Sequence, residues 1–532
     1  MLDYQIKVST VEMDQNDPTY LRSSEVANGL EASMLTCWSP LQNNIFAHAA
    51  KMERSLVVVA RAGTGKTTTI VEAAKRLPPG RALFAAFNKS IATELQSRLP
   101  SGVEAKTLHS VGFGVVKGRF PSIRMDEGKG KRIARSLAER DRLDGADGII
   151  ARMASLAKST MMVDCQDLAG MAMDLGICET EQGAMLLSPL ALEACDLAAR
   201  DTVSMDFDDM VFLPWRLELR SSRYDYVIVD EAQDMAPSQL WLAQAMLRKG
   251  GKMIIVGDDR QAIYGWRGAD SDALARMTRE LGATVLPLSI TYRCPSQVVA
   301  MAQAVVPDYQ AAPEAPEGLV VSVPSTEGAT PGDFVLSRKN APLMAQCLSF
   351  LKRGIPATIQ GRDVGKALKG LVERSEATTI PDLIAWIGEW EQGEKAKASR
   401  LTNEARSERM AQEAEDKADC IVALADGCST VQCMVDRMDR LFSDDAPLSK
   451  VVCSTVHKAK GLEFDWVVLL EMVQGRFPAR ERPEQIPFPV ELMKEPLPKG
   501  DYHLQEERRL CYVACTRAKK GLILATQDRT RK

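Results

Sequence analysis

A lysine and a threonine directly after a glycine-rich turn are the residue types that grip a polyphosphate. Val57-Val58-Val59-Ala60 runs into such a stretch, Arg61-Ala62-Gly63-Thr64-Gly65-Lys66-Thr67-Thr68. Glycines let backbone N–H groups wrap phosphate oxygens, a following helix adds positive potential at its N-terminus, and Lys66 neutralises the outer phosphates. The Thr67 hydroxyl is placed for Mg²⁺. The full pattern asks for glycine where Ala60 stands, leaving the form A-x-x-G-x-G-K-T-T. Ala62, Gly63, Thr64, Gly65, Lys66, Thr67 and Thr68 are the expected nucleotide contacts. A Gly-Lys-Thr triplet arises readily by chance, but a strand, loop and helix around it point to nucleotide binding.

Metal-assisted phosphoryl transfer also needs a carboxylate from a second strand. The apolar run Tyr226-Val227-Ile228-Val229 ends in Asp230-Glu231-Ala232-Gln233-Asp234. Asp230 is expected to hold the Mg²⁺ and Glu231 to polarise the attacking water. Taken alone, an acidic cluster after a strand is as often a helix N-cap. Beside the Lys66 loop the catalytic reading is preferred.

These loops need rigid elements beneath them, and the chain supplies the pattern. With 532 residues it is several domains long, and 45% hydrophobic and 26% charged residues are ordinary for a soluble globular protein. Strand-like runs lie at Ser55–Ala60, Ala82–Ala86, Tyr226–Val229, Lys252–Val256, Phe334–Ser337, Val451–Thr455, Trp466–Leu470 and Gly521–Ala525, alternating with helical stretches. Residues about 115–215 and about 365–447 are helical in composition and free of strand-like runs. Within the latter, Arg400–Asp419 reads as a solvated, mixed-charge helix face. Ala311–Pro324 reads as a surface connection and Arg480–Pro498 as a loop. The expected organisation is an extension over 1–36, a first core over 37–290 and a second over 291–532, each core carrying one helical insertion.

Composition excludes some classes. No run approaches the ~20 apolar residues of a membrane span, and the opening Met-Leu-Asp-Tyr lacks a secretory pattern. The twelve cysteines show no zinc spacing and read as reduced thiols, so a cytoplasmic location is expected, in a bacterium or a virus-infected host cell. A net charge of −4 argues against coating nucleic acid, not against gripping a short strand in a local groove.

Asp230-Glu231-Ala232-Gln233-Asp234 resembles the second nucleotide motif of the UvrD, Rep and PcrA helicases of superfamily 1. The other motifs follow in that family's order. Gly257–Ala269 resembles its third motif, Thr291-Tyr292-Arg293 its fourth, Ser454–Phe464 its fifth and Glu506–Ala518 its sixth. The resemblance spans about Trp38 to Ala525. It implies an α/β fold of two RecA-like P-loop NTPase cores with parallel sheets.

For the nucleotide, the resemblance implies that Gln42 reads adenine, Tyr292 stacks on it, and Glu463, beside Gly461, contacts the ribose. It makes Gln261 a γ-phosphate sensor, and Arg293 and Arg517 the arginines that reach the γ-phosphate from the second core. Charge builds on that phosphoryl group during hydrolysis, so guanidinium groups supplied on closure would couple ATP state to movement. For nucleic acid it implies contacts from Tyr264, Trp266 and Arg267, from Thr107 and His109, and from Thr455 and His457. Ala85-Ala86-Phe87-Asn88-Lys89 departs from the family's Thr-Phe-Thr-Asn-Lys, leaving Asn88 and Lys89 as the matching contacts. Singly, most of these residues would be surface ion pairs, core aromatics or structural histidines.

The expected function is an ATP- and Mg²⁺-dependent DNA helicase or translocase. It would move 3′ to 5′ on single-stranded DNA, engage single/double-strand junctions, and offer its helical insertions to a protein partner. Two alternatives stand beside it: a DNA-stimulated ATPase that strips proteins or signals to a partner without processive unwinding, and a nucleotide-gated binding switch.

Overall fold

The computed structural model describes residues 38–471, apart from 87, 179, 222, 264–272, 324–328, 401–403 and 444–448, together with residues 502–525. The expected extension 1–36, the loop Arg480–Pro498 and the contacts Tyr264, Trp266 and Arg267 lie outside the described residues. Contacts divide the chain into two compact units, one over Cys37–Ser289 and the other over Ile290–Arg400 with Ser407–Lys532.

The first unit is built on six parallel strands, in the order Val103–Thr107, Ala82–Ala86, Tyr224–Val229, Leu247–Gly257, Leu56–Ala60, Thr284–Leu288. Its central strands are apolar where both faces are covered, as along Leu56–Ala60, Ala82–Ala86, 227–229 and 253–256, as parallel sheets require. Leu56, Val58, Phe84, Ile228, Ile254 and Val256 pack on one face; Val57, Leu83, Val227, Met253 and Ile255 pack on the other. Each such side chain contributes about 1.5–3 kcal/mol by leaving water. Since all strands run the same way, the loops after Ala60, Val229 and Gly257 emerge at one edge of the sheet. That edge is where α/β folds bind ligands.

Two strands of this sheet escape the hydrophobic pattern. Val103-Glu104-Ala105-Lys106-Thr107 lies at the edge with one neighbour, so it need not be apolar on both faces. Thr284–Leu288 is the other edge and is interrupted by Pro287, tolerated there because an edge strand can spare an N–H.

The first helical insertion has its own core, including Leu137, Ile150, Met153, Leu168, Ala191 and Phe212. It is not strand-free: Arg124–Met125 pairs with Ser204–Met205.

The second unit holds a seven-stranded parallel sheet in the order Leu319–Val323, Ala518–Ala525, Phe464–Leu470, Phe334–Ser337, Val451–Thr455, Ala357–Gln360, Phe442–Ser443. Leu319–Val323 falls inside the stretch expected to be a surface connection. Its Leu-Val-Val-Ser-Val run pairs with Gly521–Ala525 at the sheet edge, where flanking prolines do no harm.

The second insertion shares one core with this sheet. Leu368, Leu383, Ile421 and Met434 of its helices pack with Val335, Cys453 and Val468 of the strands. The helix Glu404–Ala425 is therefore not solvated all round: Ala414 and Ala418 are buried, and Asp416 accepts the N–H groups of Asn340 and Ala341 at 3.0 and 2.8 Å. Those two residues begin the helix Asn340–Lys352, so this carboxylate satisfies donors that helix itself cannot.

Candidate nucleotide site and nucleic-acid surface

In the first unit the strand Leu56–Ala60 delivers the chain into the loop, and the helix Lys66–Ala74 begins at its end. Gly63 and Gly65 take φ of +67° and +72°, the left-handed region that side chains resist. Thr64 Oγ1 donates to the Arg61 carbonyl at 2.9 Å, which tightens the turn. Across from it, Lys66 Nζ lies 2.9 Å from Glu231 Oε1, and Thr67 Oγ1 donates to Asp230 Oδ2 at 3.4 Å. Glu231 also has a positive φ, +50°. Its side chain is held by Lys66 and by Gln233, whose Nε2 donates to Glu231 Oε2 at 2.6 Å. Strain of this kind persists only where surrounding contacts fix it, and it clusters at functional sites.

The electrostatics of these loops favour a cation and an anion together. Burial works against the Lys66 ammonium, yet the carboxylates of Glu231, Asp258 and Asp230 outweigh it and raise its pKa. Burial, then the neighbouring Glu231 charge, push the Asp230 carboxyl up to about 6. A buried carboxylate beside a second one, with a threonine hydroxyl on it, is a donor set that suits Mg²⁺. Among the described residues no group of three or more His, Cys, Asp or Glu could hold a metal. Mg²⁺ commonly needs only one or two carboxylates, taking its other oxygens from phosphates and water.

Two further expected contacts join this edge. Gln42 sits in the first turn of the helix Pro40–Lys51, where Ser39 and Gln42 form a reciprocal cap. Its Oε1 accepts the Ser39 N–H at 2.9 Å and its Nε2 donates to Thr69 Oγ1 at 3.0 Å. A primary amide has two donors and two acceptor positions, so one of each remains for a base edge. Gln261 is buried and donates from Nε2 to Asp258 Oδ2 at 2.7 Å.

The second unit gathers the other expected nucleotide residues. Arg293 Nε donates to Glu463 Oε2 at 2.7 Å, and its Nη1 donates to the Thr516 carbonyl at 3.2 Å. Arg517 is 1% exposed. Its guanidinium donates to the carbonyls of Val513 and Leu462 at 2.9 and 3.2 Å and to Thr516 Oγ1, and to no carboxylate among the described residues. Burial, then the Arg293 charge, lower its pKa to about 10. A buried guanidinium without a counter-charge suits an anion. Tyr292 stands 51% exposed, as a stacking residue must, and Gly461 turns the chain with φ of +89°.

The expected nucleic-acid contacts divide. Lys89 and Thr107 line a groove of about 730 Å³ with Lys106, Ser110, Thr93 and Gln96. Asn88 and Thr107 also have structural duties, capping the helices Lys89–Arg98 and Leu108–Arg119 through bonds to Ile91 N and Ser110 N. In the second unit, half-buried Thr455 and His457 lie at the end of the strand Val451–Thr455 and in the short helix after it.

His109 shows something the sequence reading did not anticipate. Its ring stacks on Phe207, centroids 4.1 Å apart, and Phe207 is 57% exposed. Burial lowers the His109 pKa, against the pull of Asp208. An exposed phenylalanine in Met205-Asp206-Phe207-Asp208-Asp209 was the available signal, but only the fold brings it to His109.

The model of the UvrD/REP helicase N-terminal domain matches residues 38–282, and that of the UvrD-like helicase C-terminal domain matches residues 373–529. The chain is 26% identical over 518 residues to F-box DNA helicase protein 1 of Schizosaccharomyces pombe, covering 88% of this chain and 55% of the relative. It is 25% identical over 559 residues to the ATP-dependent DNA helicase UvrD2 of Mycobacterium bovis, covering 88% of this chain and 76% of that one. It also matches F-box DNA helicase 1 of Gallus gallus at 24% identity over 545 residues, 91% of this chain and 48% of the relative. The chain thus spans about half the length of both F-box relatives. Among the described residues no helix is long and apolar enough to cross a membrane.

Proposed function

Because this chain belongs to the UvrD-like superfamily 1 helicases, we propose that it is an ATP-driven motor that moves 3′ to 5′ on single-stranded DNA and separates strands at junctions. The observation that carries the ATPase reading is the meeting of two loops in the first unit: Lys66 on Glu231 at 2.9 Å and Thr67 on Asp230 at 3.4 Å, behind glycines of positive φ.

In this reading the loop amides and Lys66 bind the β- and γ-phosphates of ATP. Thr67 and Asp230 would hold Mg²⁺, which neutralises phosphate charge when bound. Phosphate competes with Glu231 for Lys66, and the carboxylate so released orients the attacking water and accepts its proton. Gln261 senses the γ-phosphate, Gln42 and Tyr292 hold the adenine, and Glu463 the ribose. Arg293 and Arg517 serve the charge that builds on the transferred group.

Single-stranded DNA would lie with its phosphates toward Lys89, Lys106, Thr107 and Ser110, and with a base on the Phe207–His109 stack. Tyr264, Trp266 and Arg267 of the first unit and Thr455 and His457 of the second complete the set. The polarity rests on the family alone. The helical insertions are the surfaces offered to protein partners.

Steady-state ATPase with and without a (dT) oligonucleotide, beside unwinding of a forked duplex, tests the whole reading. DNA-stimulated turnover with unwinding is expected. Stimulated turnover without unwinding would mark a translocase, and no turnover would leave only a binding switch. Streptavidin displacement from oligonucleotides biotinylated at either end reads direction; faster release at the 3′ end would reverse the polarity.

A further inference from the structure

Arg61 occupies a position where the phosphate loop needs no side chain, yet its guanidinium is buried and engaged. It is 6% exposed, and its Nη1 donates to Asp258 Oδ1 at 3.1 Å and to Asp259 Oδ1 at 2.6 Å. Asp258 has no exposure at all, and a buried carboxylate persists only with compensating charge and hydrogen bonds. Beyond Arg61, it accepts from Gln261 Nε2 at 2.7 Å and from the Arg260 N–H at 3.1 Å. Its own N–H donates to Gln233 Oε1 at 3.0 Å. Gln233 continues to Glu231, and Glu231 to Lys66.

These contacts close a ring: Arg61, Asp258, Gln233, Glu231, Lys66, and back through the loop to Arg61. The ring touches all three loops at the sheet edge. Gly257 makes the approach feasible, since a Cβ there would come within 2.5 Å of Gln233 Oε1. Three residues after Gln261 comes Tyr264, the start of the Tyr-Gly-Trp-Arg segment assigned above to the DNA strand.

We propose that Arg61 is a positioning residue that couples nucleotide occupancy to the grip on DNA, by tying the phosphate loop to the Asp258–Gln261 turn. A shift of the loop around the phosphates is passed by the ion pair to Asp258, and by Asp258 to Gln261. One guanidinium nitrogen makes both of these aspartate contacts, so a lysine ammonium can make these two as well. This inference rests on the reading that the Lys66 loop binds ATP and that the chain binds single strands. It does not require turnover.

The test is a linkage measurement on the full chain. The Kd for a fluorescent (dT)16 oligonucleotide is measured with and without a non-hydrolysable ATP analogue plus Mg²⁺, for the wild type, Arg61→Ala, Arg61→Lys and Asp259→Asn. In the wild type the analogue should change Kd by about fivefold or more, the lower bound of ordinary coupling. In Arg61→Ala that ratio should collapse to within about twofold of unity, and Arg61→Lys should recover most of it. Asp259→Asn, which removes the charge from the shorter, more exposed contact and leaves the buried pair intact, should reduce the ratio part-way. It decides the matter if Arg61→Ala does not fold.

A wild-type ratio in Arg61→Ala, or in Asp259→Asn should Arg61→Ala not fold, would overturn the proposal. So would a lowered melting temperature with coupling intact, which is what mere charge compensation predicts. Absence of coupling in the wild type would overturn it too. Coupling present without ATP turnover would sink the motor reading while leaving this one standing.

Discussion

The Lys66 ammonium lies 2.9 Å from Glu231 Oε1, so the residue expected to bind phosphate and the residue expected to take a proton hold each other. In the proposed reading, ATP binding would break that pair. Lys66→Ala should therefore lower turnover by about 10³-fold or more, as loss of a phosphate-clamping charge does in phosphoryl transfer. Oligonucleotide affinity should stay within about threefold, under 1 kcal/mol, because no expected strand contact touches Lys66. Steady-state ATPase and fluorescence anisotropy together decide; near-normal turnover would remove the central claim.

Asp230 yields a prediction in stability with a definite sign. Its folded pKa of about 6 stands above the ordinary 3.8, through burial and then Glu231. The ionised carboxylate thus destabilises the folded chain, fully above pH 6, partly between 6 and 3.8, and not at all below. Asp230→Asn, measured without nucleotide or metal, should raise the melting temperature at pH 8 by a few degrees. The gain should shrink as pH falls toward 5. A gain independent of pH would mean that the carboxylate is not the source of the cost.

Arg293 and Arg517 should part company in their side effects. Each, changed to Ala, should lower kcat by about 10³-fold, with nucleotide affinity falling much less, if they serve the transition state. Arg517→Ala should also lose stability, because its bonds to Val513, Leu462 and Thr516 are internal to the unit. Arg293→Ala, which gives up a partly solvated pair with Glu463, should lose less. Turnover, nucleotide titration and melting on both variants test this. Equal losses in affinity and kcat would show that neither arginine acts at the γ-phosphate.

Phe207→Ala should weaken single-strand binding by about 1–3 kcal/mol, the usual loss per stacked base. Because the ring is 57% exposed, melting should hardly move. Binding isotherms that match the wild type would mean that the Phe207–His109 stack serves only the local fold.

The phosphate loop, the Asp230–Glu231 pair and both helical insertions were legible in the sequence because each is written locally. An apolar run buried on both faces, a glycine-rich turn and a helix start need only neighbours in the chain to be recognised. The edge strands Val103–Thr107 and Leu319–Val323 were not legible. An edge strand is freed from the all-apolar rule that makes a central strand visible, and prolines beside Val323 read as a connection. The second insertion reads as helical by composition, but composition does not say that its helices complete the core of the second sheet.

By itself the sequence determined the family's motifs, in what order they come, and on which kind of scaffold. Only the tertiary structure decided the partnerships: Arg61 with Asp258 across 197 positions, Phe207 with His109, Arg293 with Glu463 across 170. The reason is physical. A motif states a residue's chemistry, whereas the energy of a buried charge or an exposed ring depends on which distant side chain the parallel strands deliver beside it.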